Sequence, residues 1–148
     1  VMPGFIATAD IDIDASPERV WETITIRASE VTFGAQVESD WRVGSPVTWT
    51  GRRHGQTFED TGVVVDAVAP YRLVLTHASG GSGEAAPHRI TYELSGSGDG
   101  THVELSQDGN PSDGAAGEAS ARWREHLEAV KRRAEQPATG MTPVRQAE

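Results

Sequence analysis

The chain has 148 residues, 22 acidic against 13 basic for a net charge of -9, and no cysteine. That length suits one domain with a single core; the charge opposes a bare nucleic-acid backbone, and the missing thiols exclude disulfides, thiolate metal sites and cysteine nucleophiles. No run approaches the roughly 20 apolar residues of a membrane span, and no basic-then-apolar leader opens the chain, so the expectation is a soluble, cytoplasmic protein.

In chain order, Ala7, Ala9, Ile11 and Ile13 alternate with Thr8, Asp10, Asp12 and Asp14, the period of a half-buried strand with one acidic face. Three like charges on that face also discourage edge pairing. Ser16-Pro17-Glu18 follows: a capping hydroxyl, a residue suited to the first helical position and an acid at the positive end of the dipole. A short helix is predicted from Pro17, with Val20, Trp21 and Ile24 on one face. The β-branched run Thr23 to Ile26 weakens its continuation, so an irregular or briefly helical link should lead to Gly34.

From Gln36 the period returns to two. Val37 and Trp41, then Val47 and Trp49, alternate with polar residues, and Arg42 to Pro46 supplies the turn. Further strands are predicted over Glu59 to Val68, Arg72 to His77, His88 to Ser95 and His102 to Gln107. The glycine-rich runs at 80–83 and 96–100 mark turns or flexible loops. After Pro111 the spacing changes again: Ala116, Ala119, Trp123, Leu127, Val130 and Ala134 recur at steps of three or four behind Ser112, a plausible cap. Glu118–Arg122 and Glu128–Arg132 have the spacing of favourable helical pairs. Pro137 ends the helix.

This order is α+β: a curved antiparallel sheet of about seven strands, with one or two short helices after the first strand, wrapped around a long C-terminal helix. A single domain is expected over residues 5–136, with a flexible tail at 137–148.

Several stretches together carry a resemblance. They are Ser16 to Trp21 after a strand, Ser39-Asp40-Trp41-Arg42-Val43-Gly44-Ser45-Pro46, Thr91-Tyr92-Glu93-Leu94, Gly100-Thr101 before a strand, and a late helix bearing Trp123. Over Ala7 to Glu135 the chain resembles the START-like helix-grip superfamily, and within it the bacterial relatives of the activator of the Hsp90 ATPase, often grouped with polyketide cyclases and dehydrases. The resemblance implies a sheet gripping the terminal helix around a mostly apolar cavity. It does not imply one activity, since members bind lipids, hormones or polyketides, assist a chaperone or cyclise substrates. Relatives carry an acid and a proline after the first helix and an aromatic-rich second helix. Here Thr25 to Phe33 replaces them and Phe33 is the one aromatic residue left, which implies a reshaped entrance.

The candidate cavity lining is Trp21, Phe33, Trp49, His77, His88, Tyr92, Trp123 and Leu127. Indoles offer broad apolar walls with one donor each, and the same residues equally suit junctions between helix and sheet. Alternation puts His77 on the face of Leu73 and Leu75, and His88 and Tyr92 on the face of Ile90 and Leu94. Inward histidines suit hydrogen bonding or acid/base work; the alternative reading makes both strand-end residues at a loop mouth.

No metal or cofactor is expected. The five histidines lack paired helical spacing, and Asp10, Asp12 and Asp14 lack the glycine and distal glutamate of a calcium loop. Arg52-Arg53-His54 suits an acidic ligand group and Lys131-Arg132-Arg133 an acidic protein surface. The glycines at 80–83 lack the lysine and helix of a phosphate loop, and Ser39, Ser45 and Ser106 lack a nucleophile elbow. The leading expectation is therefore a noncatalytic container for a small hydrophobic or amphipathic ligand. The alternatives are a module that works with an Hsp90-like chaperone, and a polyketide cyclase, aromatase or dehydratase using His77, His88 or Tyr92.

Overall fold

The computed structural model describes residues 5–78 and 87–136. The elements run β1 (Phe5–Ile13), α1 (Pro17–Ile24), a one-turn 3-10 helix (Ala28–Glu30), β2 (Gln36–Ser39), β3 (Pro46–Arg53), β4 (Gln56–Val68), β5 (Arg72–His77), β6 (His88–Ser97), β7 (Gly100–Asn110) and α2 (Asp113–Glu135). The strands form one curved antiparallel sheet in the order β1-β7-β6-β5-β4-β3-β2, so the fold is α+β as expected. The glycine run at 80–83 and the tail at 137–148 lie outside the described residues.

Local chemistry sets the boundaries of α1. Ser16 Oγ accepts from Arg19 N at 3.2 Å and Pro17 occupies the first turn. At the other end the hydroxyls of Thr23 and Thr25 bond back to the carbonyls of Arg19 and Trp21, at 2.9 and 2.7 Å. Such back-bonding competes with the helical ladder, and the helix stops at Ile24. Ser112 caps α2 in the same way as Ser16, accepting from Ala115 N at 3.0 Å.

The strands run longer than their apolar patterns. β4 starts at Gln56 rather than Glu59, and β6 and β7 continue through the expected loop at 96–100. Ser97 pairs with Gly100, leaving a two-residue hairpin turn in which Gly98 takes φ 63; glycine enters that region without strain. β4 pairs first with β3 and then with β5, with a register shift between Val64 and Asp66, and a bulge of this kind bends a sheet.

α2 lies along β1, the edge strand. Its buried stripe is Ala116, Ala119, His126, Leu127, Val130 and Ala134, and the facing Ala7 and Ala9 are buried too. Helix side chains also satisfy the strand's outward backbone groups. Ser120 Oγ accepts from Thr8 N at 3.0 Å, Glu135 Oε2 accepts from Asp14 N at 2.7 Å, and Lys131 Nζ donates to Asp12 O at 3.3 Å. The helix thereby closes an edge that would otherwise invite another strand. Its i,i+4 ion pair among the described residues is Lys131–Glu135 at 2.5 Å rather than the expected Glu118–Arg122 or Glu128–Arg132, because Glu135 is held near Lys131 by its bond to the strand.

The acidic face of β1 meets the imidazole of His102 on β7. Its ring nitrogens lie 2.8 Å from Asp12, 3.4 Å from Asp10 and 3.6 Å from Glu104. The hydrogen bond to Asp12, with help from the charges of Asp10 and Glu104, raises its pKa above the usual 6.5. The charged imidazole is thus favoured by folding: its contribution is complete below the unfolded pKa and is lost as pH rises through the folded one. These groups are solvated, so the melting temperature of the wild type should exceed that of His102→Gln by about 1–3 °C near pH 6. The gap should close toward about pH 8.5, and a gap that is constant with pH would mean the cluster does not act through charge.

Candidate functional site

A cavity of about 370 Å³ opens between the concave face of the sheet and α2. Its floor is a cross-strand row. Gln107 on β7 pairs with Ile90 on β6, and Ile90 pairs with Leu75 on β5, so alternation turns all three to one face. Tyr92 stands two residues from Ile90 on the same side. Trp49 from β3 and Trp123 from α2 supply aromatic walls, and Phe33 stands at the rim, 68% exposed. A second hollow of about 790 Å³ shares Thr32, Phe33, Trp49, His77 and Arg122 with the first and extends to Gly51, Phe58 and Asp60.

Two hydrogen-bonded pairs stiffen this wall. His77 Nε2 lies 2.9 Å from the Oδ2 of Asp60, a carboxylate only 4% exposed. Sheet register places that carboxylate, because Asp60 pairs directly with Trp49, and the Trp49 ring meets the His77 ring edge-on at 4.8 Å. In the neutral imidazole the proton on Nε2 faces the acid and Nδ1 keeps its lone pair, the arrangement of an oriented base.

The second pair is deeper. His126 Nδ1 lies 2.9 Å from Val31 O, and His126 Nε2 lies 2.9 Å from Tyr92 Oη. A carbonyl only accepts, so Nδ1 carries the hydrogen. Burial lowers the pKa of His126, leaving Nε2 bare, and Tyr92 therefore donates its hydroxyl proton to it. Burial also drives the tyrosine pKa far above its usual 10.0, which keeps that proton in place. Beside them Trp123 Nε1 donates to Gln107 Oε1 at 2.6 Å.

Of the residues expected to line a cavity, Phe33, Trp49, His77, Tyr92 and Trp123 stand on this wall. Trp21, His88 and Leu127 do not. Trp21 is half-buried against the core from α1. His88 faces the side of Ile90, but its Nδ1 is held 2.7 Å from the Asp108 carbonyl over Gly109, where a Cβ would come within 2.8 Å of the ring; it fastens the strand ends. Leu127 is 0% exposed and packs into the core.

Polar wall residues that sequence reasoning passed over are Thr32, Gln107, Arg122, Glu125 and His126. Two had a signal. Gln107 shares a strand face with Val103 and Leu105, and His126 falls between Trp123 and Val130 on the apolar stripe, so each is a polar residue at an inward position.

A long helix gripped by a curved antiparallel sheet over a tryptophan-walled cavity defines a START-like helix-grip domain. The chain belongs to the family described as Activator of Hsp90 ATPase homolog 1-like protein, whose profile matches residues 14–135. The solution structure of ChR145 from Cytophaga hutchinsonii is similar, with 31% identity and a TM-score of 0.76 over 88% of this chain and 94% of its own. CalU16 from Micromonospora echinospora matches at 21% identity and TM-score 0.67, over 85% of this chain and 73% of its own. CV1439 from Chromobacterium violaceum matches at 18% and 0.74, over 89% and 98%. The last two likenesses concern the fold alone. No curated protein matches the chain.

Proposed function

We propose that this domain binds a small, mostly apolar molecule between the sheet and α2. The observation that carries the reading is a cavity of about 370 Å³ with Trp49, Leu75, Ile90 and Trp123 as apolar walls, in which His77, Tyr92, His126 and the Gln107 amide oxygen are each bonded to a protein partner. That is the build of a small-molecule site: an apolar surround supplies affinity and scattered polar atoms orient the guest. The volume lies within the roughly 300–1,000 Å³ of such sites.

The test is a native mass spectrum of the protein as purified, followed by melting in the presence of a broad apolar library. A ligand at about 100 times its Kd should raise the melting temperature by roughly 5–10 °C. Ile90→Trp, which fills the floor, should abolish that rise. An empty spectrum together with no shift from any compound would sink the reading. If the compound bound were instead altered in mass, the oriented His77–Asp60 pair would make the domain an acid/base enzyme. Should ligand be absent while the ATPase rate of the host's Hsp90 homologue changes, the family description would be the better guide and the outer surface the working one.

A further inference from the structure

Given a ligand in this cavity, the hydrogen-bond network states which groups it carries. The single hydroxyl proton of Tyr92 is committed to His126 Nε2, because Nδ1 of the same ring is occupied by the Val31 carbonyl. What Tyr92 has left is lone pairs, so Oη offers an acceptor. The indole of Trp123 can only donate, which fixes Gln107 with Oε1 toward it. The amide Nε2 of Gln107, with two hydrogens, then has no partner among the described residues. Gln107 is 9% exposed and lines the cavity, and a buried donor left without a partner is unfavourable unless water or a guest meets it.

The residues that carry these two groups are neighbours on the sheet. Ile90 pairs with Gln107 and Tyr92 with Leu105, so Tyr92 and Gln107 are diagonal neighbours on one face, with backbones roughly 7–8 Å apart. Of the charged side chains on this wall, Arg122 and Glu125 are exposed and of opposite sign, and the buried Asp60 carboxylate is turned to His77. They give the depth of the cavity no preference for a charged guest.

We propose that the cavity selects a neutral, largely apolar molecule bearing a carbonyl-type oxygen and a hydroxyl on one compact frame. Gln107 Nε2 donates to the first, and Tyr92 Oη accepts from the second. The pair is a specificity filter: a hydrocarbon of the same shape leaves both groups dry and unpaired, whereas water already in place costs a poorly matched guest its displacement.

The test is a matched series measured by calorimetry: 5-, 6- and 7-hydroxy-1-tetralone, then 1-tetralone, 5,6,7,8-tetrahydro-2-naphthol and tetralin. The best hydroxytetralone should bind roughly fivefold tighter than either compound lacking one group, and tighter again than tetralin. Gln107→Met should erase the advantage of the carbonyl and spare that of the hydroxyl. Tyr92→Phe should do the reverse, with circular dichroism and melting confirming that both variants fold. Should either variant fail to fold, the wild-type series decides alone. Tetralin binding as tightly as every hydroxytetralone would overturn this filter while leaving the apolar container intact; failure of all six compounds, tetralin included, would overturn the filter, and the container then stands or falls on the broad library.

Discussion

Gly62→Ala should lower the stability of the domain by about 3 kcal/mol or more. Gly62 lies in β4 just before the register shift, against the backbone of β5 at Thr76. A Cβ added there would lie 1.8 Å from Thr76 O and 2.7 Å from Thr76 C, with Trp49 Cζ3 at 3.3 Å. The obstacle is backbone, so no change of rotamer relieves it and the strands must separate. Separation would break the Thr61–Ala78 bridge, with bonds of 3.0 and 2.8 Å, and the bond from Val63 N to Thr76 Oγ1 at 3.0 Å. It would also pull Asp60 from His77, since each sits two residues or fewer from the pinch. Urea unfolding measures the effect, and Gly96→Ala is the control: nothing lies within 4 Å of a Cβ there, and its change should stay within about 0.5 kcal/mol. Equal losses from the two substitutions would show that close approach at Gly62 is not what the glycine provides.

The same pinch shows where sequence reasoning reaches and where it stops. Boundaries written by a single residue's chemistry were legible: Ser16 and Pro17 start α1, Ser112 starts α2, and Arg72 to His77 is β5 to the residue. The order of periods two and 3.6 gave the α+β helix-grip arrangement and, with the resemblance, the family. Strand ends were less legible, because Gln56, Ser97 and Asn110 join the sheet through backbone pairing that leaves no apolar mark. Within the cavity, alternation told which residues share a face, as for Leu75 with His77 and Ile90 with Tyr92. It could not tell which of them meets a partner across the fold. His88 and His77 occupy matching places on paired strands, yet one is tied to a backbone carbonyl and the other to a buried carboxylate. Those partners come from β7 and β4, at separations of 20 and 17 residues, and a local pattern carries no record of them.

His126→Leu should cost about 2–5 kcal/mol, because it orphans two buried groups together, the Tyr92 hydroxyl and the Val31 carbonyl. Tyr92→Phe alone should cost about 1–3 kcal/mol by leaving His126 Nε2 without its donor. The double variant removes the shared bond only once, so its loss should fall short of the sum by about 1 kcal/mol or more. Acid gives an independent view of the same pair. Burial lowers the folded pKa of His126, so the unfolded chain takes up the proton first and stability is lost as pH falls below the unfolded value near 6.5. His102 pulls in the opposite direction over that interval, since its folded pKa is raised. The comparison is therefore best made in a His102→Gln background by denaturant unfolding between about pH 7.5 and 5. There the chain with His126 should lose stability on acidification and the His126→Leu chain should not. Strict additivity in the cycle, with parallel pH profiles, would mean that Tyr92 and His126 merely adjoin. Coupling with divergent profiles would establish that the tyrosine proton is spent on the histidine, leaving Tyr92 to face the cavity as an acceptor.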